Sequence, residues 1–257
     1  MRLLRTAHPG PTLVVTLAGF LLSQSITSEV RALVISLAIF LGQLSVGWTN
    51  DLADLKTDRS QGRKNKPLAN GEISARAVVT ATMCSLFLCV PLSLFGPLGL
   101  LGGALHLLGV ACGLSYNFYF KKTLLSPLPY VIAFAAMPSA IVLSQRSTIP
   151  TWVVLIGAIF GVAAHFSNVI KDMDQDRRSG IIGLPQLLGS RVSLIVSASA
   201  FLAIAVLIST HSHFWIPIPI SIFAVLLLIL LPARFSFPIV MGLALIDVAL
   251  LVSKVSL

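Results

Sequence analysis

Residues 31–50 read RALVISLAIFLGQLSVGWTN, a run of twenty residues whose only charge is at its first position. About 20 mainly apolar residues in a helix span the hydrocarbon core of a bilayer, which is roughly 30 Å thick. Strand-sized alternation of polar and apolar residues is absent from the chain, and lipid-exposed backbone must form either a helix or a closed barrel. The run therefore predicts a transmembrane α-helix.

Similar apolar runs recur along the whole chain. The 257 residues are 56% hydrophobic and only 11% charged, against roughly 25% charged in a soluble domain. Nine apolar segments can be drawn, at residues 11–27, 31–50, 77–95, 97–117, 128–145, 150–170, 192–210, 214–231 and 235–253. We expect an all-α integral membrane protein in which residues 1–257 form a single membrane-embedded domain of nine transmembrane helices.

The formal net charge of +9 comes from basic residues that flank the apolar runs. This placement indicates membrane topology and an anionic ligand rather than nucleic acid, and nothing in the sequence indicates an obligate protein partner. With a cytosolic N-terminus, fifteen Lys and Arg residues lie on the cytosolic side and only Arg31, Arg146 and Lys254 lie opposite. We therefore expect the N-terminus and two long polar loops, residues 51–76 and 171–191, to be cytosolic.

A few polar residues lie inside the apolar segments. Cys84, Cys89 and Cys112 are spaced for neither zinc nor a disulfide framework, so we interpret them as packing residues. His165 either lines a cavity or is bonded to a neighbouring helix. Asp247 is costly in a membrane span, so we expect it to have a partner.

Six of the nine acidic residues fall in two short windows. The first, residues 50–58, reads NDLADLKTD. If the preceding helix continues through it, Asp51, Asp54 and Asp58 lie on one helix face. The second window, residues 168–176, reads NVIKDMDQD.

In the second window, Asn168, Asp172 and Asp176 share a helix face, whereas Asp174 points nearly the opposite way. Carboxylates stacked on one face repel each other, so a cation should compensate them. Hard oxygen ligands suit Mg²⁺, and two facing clusters would hold a Mg–diphosphate between them. The alternative is that these are solvated loop aspartates paired with nearby basic residues, namely Lys56, Arg59, Arg177 and Arg178.

The two windows resemble the two aspartate motifs of the UbiA superfamily of intramembrane prenyltransferases. Two further segments carry the resemblance. Residues 63–74, RKNKPLANGEIS, are similar to the family's R-P-L-x-x-G-x-I-S segment, and residues 115–122, SYNFYFKK, are similar to its Tyr…Lys segment. The resemblance covers the whole chain and implies a UbiA-like bundle with a cytosolic-facing active site.

The resemblance implies that the protein binds a polyprenyl diphosphate through Mg²⁺ and ionises it to an allylic cation. It also implies that the prenyl group is then transferred to an aromatic or lipid acceptor. The implied metal ligands are Asp51, Asp54, Asp58, Asp172 and Asp176. The implied diphosphate-binding residues are Asn50, Arg63, Lys66, Lys121, Lys122 and Asn168, and the implied catalytic residues are Asp54, Asp172, Tyr116 and Lys121. The sequence leaves open which of the two lysines acts.

Two other functions of membrane proteins also rely on carboxylates. A membrane terpene cyclase would use the same aspartates but capture the cation with the substrate's own double bonds. A secondary transporter would place its carboxylates near the bilayer midplane on broken helices, whereas the aspartates here lie at helix ends. The sequence favours prenyl transfer and identifies neither the acceptor nor the prenyl chain length.

Overall fold

The fold of the chain is given by a computed structural model that describes residues 2–63, 65–146 and 148–254. Lys64, part of the basic loop quoted above, lies outside these ranges. The described residues form helices and no strand, so the all-α prediction is confirmed. The helices are α1 (Arg2–Arg5), α2 (Pro9–Gln24), α3 (Glu29–Ser60), α4 (Ala75–Phe95), α5 (Gly99–Phe118), α6 (Leu128–Leu143), α7 (Thr151–Ile170), α8 (Met173–Arg178), α9 (Leu184–Leu188), α10 (Ser190–Ser212), α11 (Pro217–Leu230) and α12 (Ser236–Lys254).

Each of the nine predicted apolar segments corresponds to one of the longer helices, α2 to α7 and α10 to α12. In the described ranges, six segments are long and apolar enough to cross a membrane: α3, α4, α5, α7, α10 and the stretch Ala233–Ser253. Helices α6 and α11 are apolar but shorter, with 16 and 14 residues. The protein is therefore an integral membrane protein with six candidate spans, and the number nine stays a prediction.

Helix α3 extends well beyond the apolar run from which it was predicted. Its 32 residues are about 48 Å long at 1.5 Å per residue, which exceeds the bilayer core. The helix continues unbroken through the first aspartate window, as expected. Asp51, Asp54 and Asp58 therefore lie on successive turns at one end of the bundle, which we call the aspartate end.

Helix α7 ends earlier than the second window requires. It stops at Ile170, and Asp172 has φ −107° and ψ 2° before the short helix α8 begins. The continuous helix face expected through Asn168, Asp172 and Asp176 is therefore interrupted. The backbone N–H of Asp176 donates to the carbonyl oxygen of Asp172 at 2.8 Å, so a helical turn resumes at Asp172.

Most consecutive long helices pack side by side, and α12 contacts both α2 and α7, which closes the bundle. The contact between α6 and α7 is especially close because α7 presents glycines there. A Cβ atom on Gly161 would lie 2.5 Å from the carbonyl oxygen of Tyr130, and Gly157 is equally close to the backbone at Phe134. These glycines allow two backbones to meet at a distance that larger side chains prevent.

Candidate active site

A cavity of about 580 Å³ lies at the aspartate end, between α2, α3, α5, α6, α7 and α12. Ten of the twelve site residues expected from the sequence line it: Asn50, Asp54, Asp58, Arg63, Lys66, Tyr116, Lys121, Asn168, Asp172 and Asp176. Both aspartate windows thus face one space, although more than a hundred residues separate them in the chain. Asp51 and Lys122 are not among the lining residues.

The aspartates of α3 are paired with basic residues from two different segments. Lys121 donates from Nζ to both carboxylate oxygens of Asp54, at 2.8 and 2.7 Å. Asp58 is buried, with Arg63 Nε 3.2 Å from one of its oxygens and Lys66 Nζ 3.5 Å from the other. The basic loop after α3 and the segment after α5 therefore meet on the same helix face.

Asp51 does not occupy the position that the sequence-based prediction of a metal ligand requires. Its side chain is only 2% exposed and lies outside the cavity. Its Oδ1 atom accepts from Lys66 Nζ and lies 3.0 Å from His8 Nε2, while Oδ2 has no hydrogen-bond partner among the described residues. The contacts that the structure gives Asp51 therefore hold Lys66 and the start of α2 against α3.

Lys122 also departs from its expected place beside the diphosphate. Lys121 and Lys122 lie in a 3₁₀ turn, Phe120–Lys122, in which successive side chains point about 120° apart. Lys121 turns into the cavity and pairs with Asp54, whereas Lys122 is exposed and lies outside the cavity. Of the two lysines left open by the sequence, only Lys121 reaches the site.

On the opposite side, Asp176 is held by a residue that the sequence gave no reason to choose. Gln186 is buried and donates from Nε2 to Asp176 Oδ2 at 2.8 Å. Its own Oε1 accepts from the Gly183 backbone N–H, and its carbonyl oxygen accepts from Arg177. Burial raises the pKa of Asp176, and the hydrogen bond from Gln186 opposes that rise.

The two asparagines of the windows are held by neighbours on other helices. Asn50 donates to Asn117 Oδ1 at 3.2 Å, and Asn117 donates in turn to the Val46 carbonyl oxygen at 2.9 Å. Asn168 donates to the Tyr130 hydroxyl at 3.4 Å. Asn117 and Tyr130 therefore orient two site amides, and nothing in the sequence windows pointed to either residue.

An aromatic wall forms one side of the cavity. Tyr116 and Tyr130 pack edge to face with ring centroids 5.0 Å apart, and Tyr130 stacks on Phe134 at 6.1 Å. His165 lies behind both tyrosines and its Nε2 is 3.1 Å from Ser126 Oγ. Of the two alternatives for His165, the structure favours the bonded, packed histidine, which supports the aromatic wall.

Side-chain amides join the two aspartate segments next to the cavity. Gln61, just after α3, donates to Ser179 Oγ and accepts from Gln175 on α8. Asp174 lies on the other side of α8, where it is exposed and borders a separate surface groove. This position agrees with the expectation that the Asp174 side chain points away from those of Asp172 and Asp176.

Comparisons with known proteins agree with the resemblance noted in the sequence. A UbiA homologue from Archaeoglobus fulgidus, solved bound to GPP and Mg²⁺, matches with a TM-score of 0.75 at 16% identity, over 98% of this chain and 100% of that one. The apo structure of a UbiA homologue from Aeropyrum pernix K1 matches with a TM-score of 0.70 at 19% identity, over 97% of each chain.

A structure of digeranylgeranylglyceryl phosphate synthase matches with a TM-score of 0.70 at 16% identity, over 98% of this chain and 97% of that one. Because fewer than 20% of the residues are identical, these matches show that the fold is shared and nothing about function. A comparison with curated proteins gives no significant match. The sequence model of the UbiA prenyltransferase family matches residues 12–247, which is most of the chain. The protein therefore belongs to the UbiA prenyltransferase family.

Proposed function

We propose that this protein catalyses the Mg²⁺-dependent transfer of a polyprenyl group from a prenyl diphosphate to an aromatic or lipid acceptor within the membrane. The observation that carries the proposal is the cavity itself. Asp54 and Asp58 line it from α3, Asp172 and Asp176 line it beyond α7, and Lys66 and Lys121 lie among them. Family membership supports the same reaction class.

The residues present fit a magnesium ion in their donor chemistry. The cavity is lined by carboxylate and amide oxygens, which are the hard ligands that Mg²⁺ prefers. Among the described residues no three His, Cys, Asp or Glu side chains already converge as a preformed cage. Mg²⁺ does not need one, because it commonly takes one or two carboxylates and completes its shell with water and phosphate oxygens. The A. fulgidus homologue was solved with GPP and Mg²⁺, which supports this choice of ion.

We assign the metal-binding role to Asp54, Asp58, Asp172 and Asp176, and we assign Asp51 to holding Lys66 in place. A bound Mg²⁺ would supply Lewis-acid stabilisation of the departing diphosphate. Lys121, Lys66 and Arg63 would donate to phosphate oxygens, and a charge developing there is stabilised best by donors that are already positioned. Asn50, Asn168 and the Tyr116 hydroxyl would add neutral hydrogen-bond donors.

The lower part of the cavity suits the prenyl group. Gly109, Ala133 and Phe134 line it beneath the charged residues. Such a surface binds a hydrocarbon chain and keeps water from the allylic cation. The rings of Tyr116 and Tyr130 lie between the charged and apolar parts, where an aromatic face can stabilise a passing cation.

We further propose that residues 1–257 act as one membrane-embedded domain with the aspartate end facing the cytosol. The test of function uses purified protein in detergent with Mg²⁺ and geranyl, farnesyl and geranylgeranyl diphosphates, with and without a panel of aromatic and lipid acceptors. We expect diphosphate release that requires Mg²⁺ and increases when the right acceptor is present. Release with formation of a cyclic hydrocarbon, independent of any acceptor, would instead show a cyclase.

A matched pair of variants separates the site from general charge effects. Asp172→Asn should lower the rate of diphosphate release at least about 100-fold, a loss typical of removing one well-placed transition-state contact. Asp174→Asn, two residues away but exposed and outside the cavity, should keep a rate close to that of the wild type. The proposal fails if no prenyl diphosphate is consumed in a Mg²⁺-dependent way, or if both variants behave alike.

A further inference from the structure

His8, just before α2, has an unusual backbone conformation. Its φ of 50° and ψ of 67° lie in the left-handed region, and among the described residues other than glycine only His213 shares a positive φ. Such a conformation is costly for an L residue, persists where the surrounding structure enforces it, and is common at functional sites. The His8 side chain makes no capping bond to the first turn of α2. The imidazole is therefore available for contacts elsewhere.

The segment around His8 is fixed against α3. A Cβ atom on Gly47 would lie 2.3 Å from the Ala7 carbonyl oxygen, so only glycine at this position lets the chain come so close. The Thr12 hydroxyl donates to the same carbonyl oxygen at 2.8 Å, which ties the first turn of α2 to the residue before His8. This packing holds the turn at His8 next to Asp51.

The imidazole of His8 lies between a buried carboxylate and the cavity. Its Nε2 is 3.0 Å from Oδ1 of Asp51, whose side chain is 2% exposed, whereas the His8 side chain is 39% exposed and lines the cavity. Asp51 thereby has a partner, unlike Asp247, for which the partner expected from the sequence is not found among the described residues. A carboxylate only accepts, so Nε2 carries the ring proton, and Nδ1 of the neutral imidazole is a hydrogen-bond acceptor. No described residue donates to Nδ1.

His8 borders the cavity at a depth that matters for prenyl transfer. Asp51 precedes Asp54 by three residues on α3, so it lies about 4.5 Å deeper along the helix axis. At this level the charged lining gives way to less polar residues, among them Pro11 and Val15 of α2. The first carbon of a prenyl chain is bonded to a diphosphate oxygen. It would therefore lie near this level when the diphosphate is bound among the aspartates.

The chemistry of Nδ1 indicates which ligand it can bind. Diphosphate oxygens are hydrogen-bond acceptors and need donors, which Arg63, Lys66 and Lys121 supply from the cavity lining. Mg²⁺ prefers oxygen ligands to an imidazole nitrogen. An accepting nitrogen that suits neither the diphosphate nor the metal is left for a ligand with an O–H donor. The lining at Pro11 and Val15 suits the apolar body of such a ligand.

We propose that His8 binds the acceptor substrate, with Nδ1 accepting a hydrogen bond from the substrate's hydroxyl group while Asp51 orients the imidazole ring. This role rests on the proposed prenyl transfer and deepens it, because it names the class of acceptor substrate: a phenol or an alcohol with an apolar body. His8 is then a specificity-determining residue that places this substrate, rather than water, beside the allylic carbon.

The first test compares hydroxyl compounds with their methyl ethers. Naphthol and hexadecylglycerol are each paired with the O-methylated compound, and binding is measured without Mg²⁺ from thermal stabilisation in detergent. In at least one pair the wild type should bind the hydroxyl compound about tenfold more tightly than its ether, the scale of one hydrogen bond. The pair that shows the preference distinguishes an aromatic acceptor substrate from a lipid one.

The variant His8→Gln separates binding of the acceptor substrate from the contact with Asp51. The glutamine amide nitrogen can donate to Asp51 as Nε2 does, but nothing replaces Nδ1. The preference for the hydroxyl compound should be lost. In the enzyme assay the KM for the acceptor substrate should rise about tenfold, while the KM for the prenyl diphosphate stays within about twofold of the wild type. A merely structural defect would raise both KM values.

The matched control is His213→Gln. His213 also has a positive φ, of 53°, but it is exposed, follows α10 and lies outside the cavity. This variant should keep the binding preference and both KM values of the wild type.

Equal binding of hydroxyl compounds and ethers by the wild type overturns this role for His8, whether or not any variant folds. So does a His8→Gln protein that keeps the preference, because the histidine would then only hold Asp51. If either result accompanies Mg²⁺-dependent consumption of prenyl diphosphate, prenyl transfer stands and the role of His8 fails. If no prenyl diphosphate is consumed, prenyl transfer fails and the role of His8 fails with it.

Discussion

Lys121 and Lys122 are neighbours in the chain but have different surroundings. The first donates to both oxygens of Asp54 inside the cavity, and the second is exposed outside it. The sequence offers two equivalent cations, because side-chain direction within a single 3₁₀ turn is set by the backbone and not by residue type. Residue type alone therefore does not show which of the two lysines belongs to the site.

We expect Lys121→Met to lower the rate of prenyl diphosphate consumption about 100-fold, because a charge-assisted donor is lost from the site and Asp54 is left without its partner. Lys122→Met, with the same change in net charge, should keep a rate within about twofold of the wild type. Steady-state diphosphate release measures both. Similar losses in the two variants would show that Lys122 also contacts the substrate.

Gln186 allows a prediction about pH. Its Nε2 donates to Asp176 Oδ2, and this bond favours the charged carboxylate against the burial that raises its pKa. In Gln186→Leu the pKa of Asp176 should rise further, so the carboxylate protonates at a higher pH on acidification. The acid limb of the pH–activity profile should therefore move to higher pH, with activity about 10- to 100-fold lower, as for other residues that orient metal ligands.

Gln145→Leu is the matched control for Gln186→Leu. Gln145 lies after α6, and among the described residues its side chain bonds only to Ser144, so its replacement should leave the profile unchanged. A Gln186→Leu enzyme that loses activity equally at every pH would contradict the assigned role, because a merely structural defect does not move the acid limb.

At the scale of helices, the two aspartate windows were predictable to different degrees. Asp51, Asp54 and Asp58 follow from helical periodicity because α3 continues through them. The second window looks equivalent in sequence, yet α7 ends at Ile170 and α8 starts after Asp172. The segment after the break is bonded to the end of α3 through the side-chain amide of Gln61, and no local sequence pattern predicts such a contact.

Helices α6 and α7 supply a test of close packing. In Gly161→Ala the new methyl group would meet backbone atoms at Tyr130 and Val131, which cannot turn aside as a side chain can. We expect a destabilisation of about 1–3 kcal/mol, seen as a lower thermal unfolding temperature in detergent. Gly242→Ala is the control, since nothing lies within 4 Å of its Cβ position, and it should be neutral or slightly stabilising.

At the scale of the whole molecule, the sequence predicted the class of fold more readily than the interior of the site. The apolar segments together sum many weak preferences, so single exceptions do not alter the predicted fold class. The membrane side on which the site lies stays a prediction from the distribution of Lys and Arg. Asn117, Tyr130 and Gln186 were missed, because each is identified by a side-chain contact with a residue on another helix.

The orientation of the bundle can be measured by thiol labelling in a background where Cys84, Cys89 and Cys112 are replaced by alanine. We expect Ser60→Cys, at the exposed end of α3, to react with a membrane-impermeant reagent only after the cells are opened. His213→Cys, after α10 at the other end, should react in intact cells. The reverse pattern would place the aspartate end outside, against the distribution of Lys and Arg.

The close approach of α6 and α7 also bears on how such a protein could be redesigned. Because the two backbones are in contact, that side of the cavity can be widened only by shortening a side chain that lines it, such as Phe134. The opposite side of the cavity is formed by small or flexible side chains on α2 and α12, among them Val15 and Met241. Libraries intended to accept longer or bulkier donors should therefore vary α2 and α12 and leave the glycine contact unchanged.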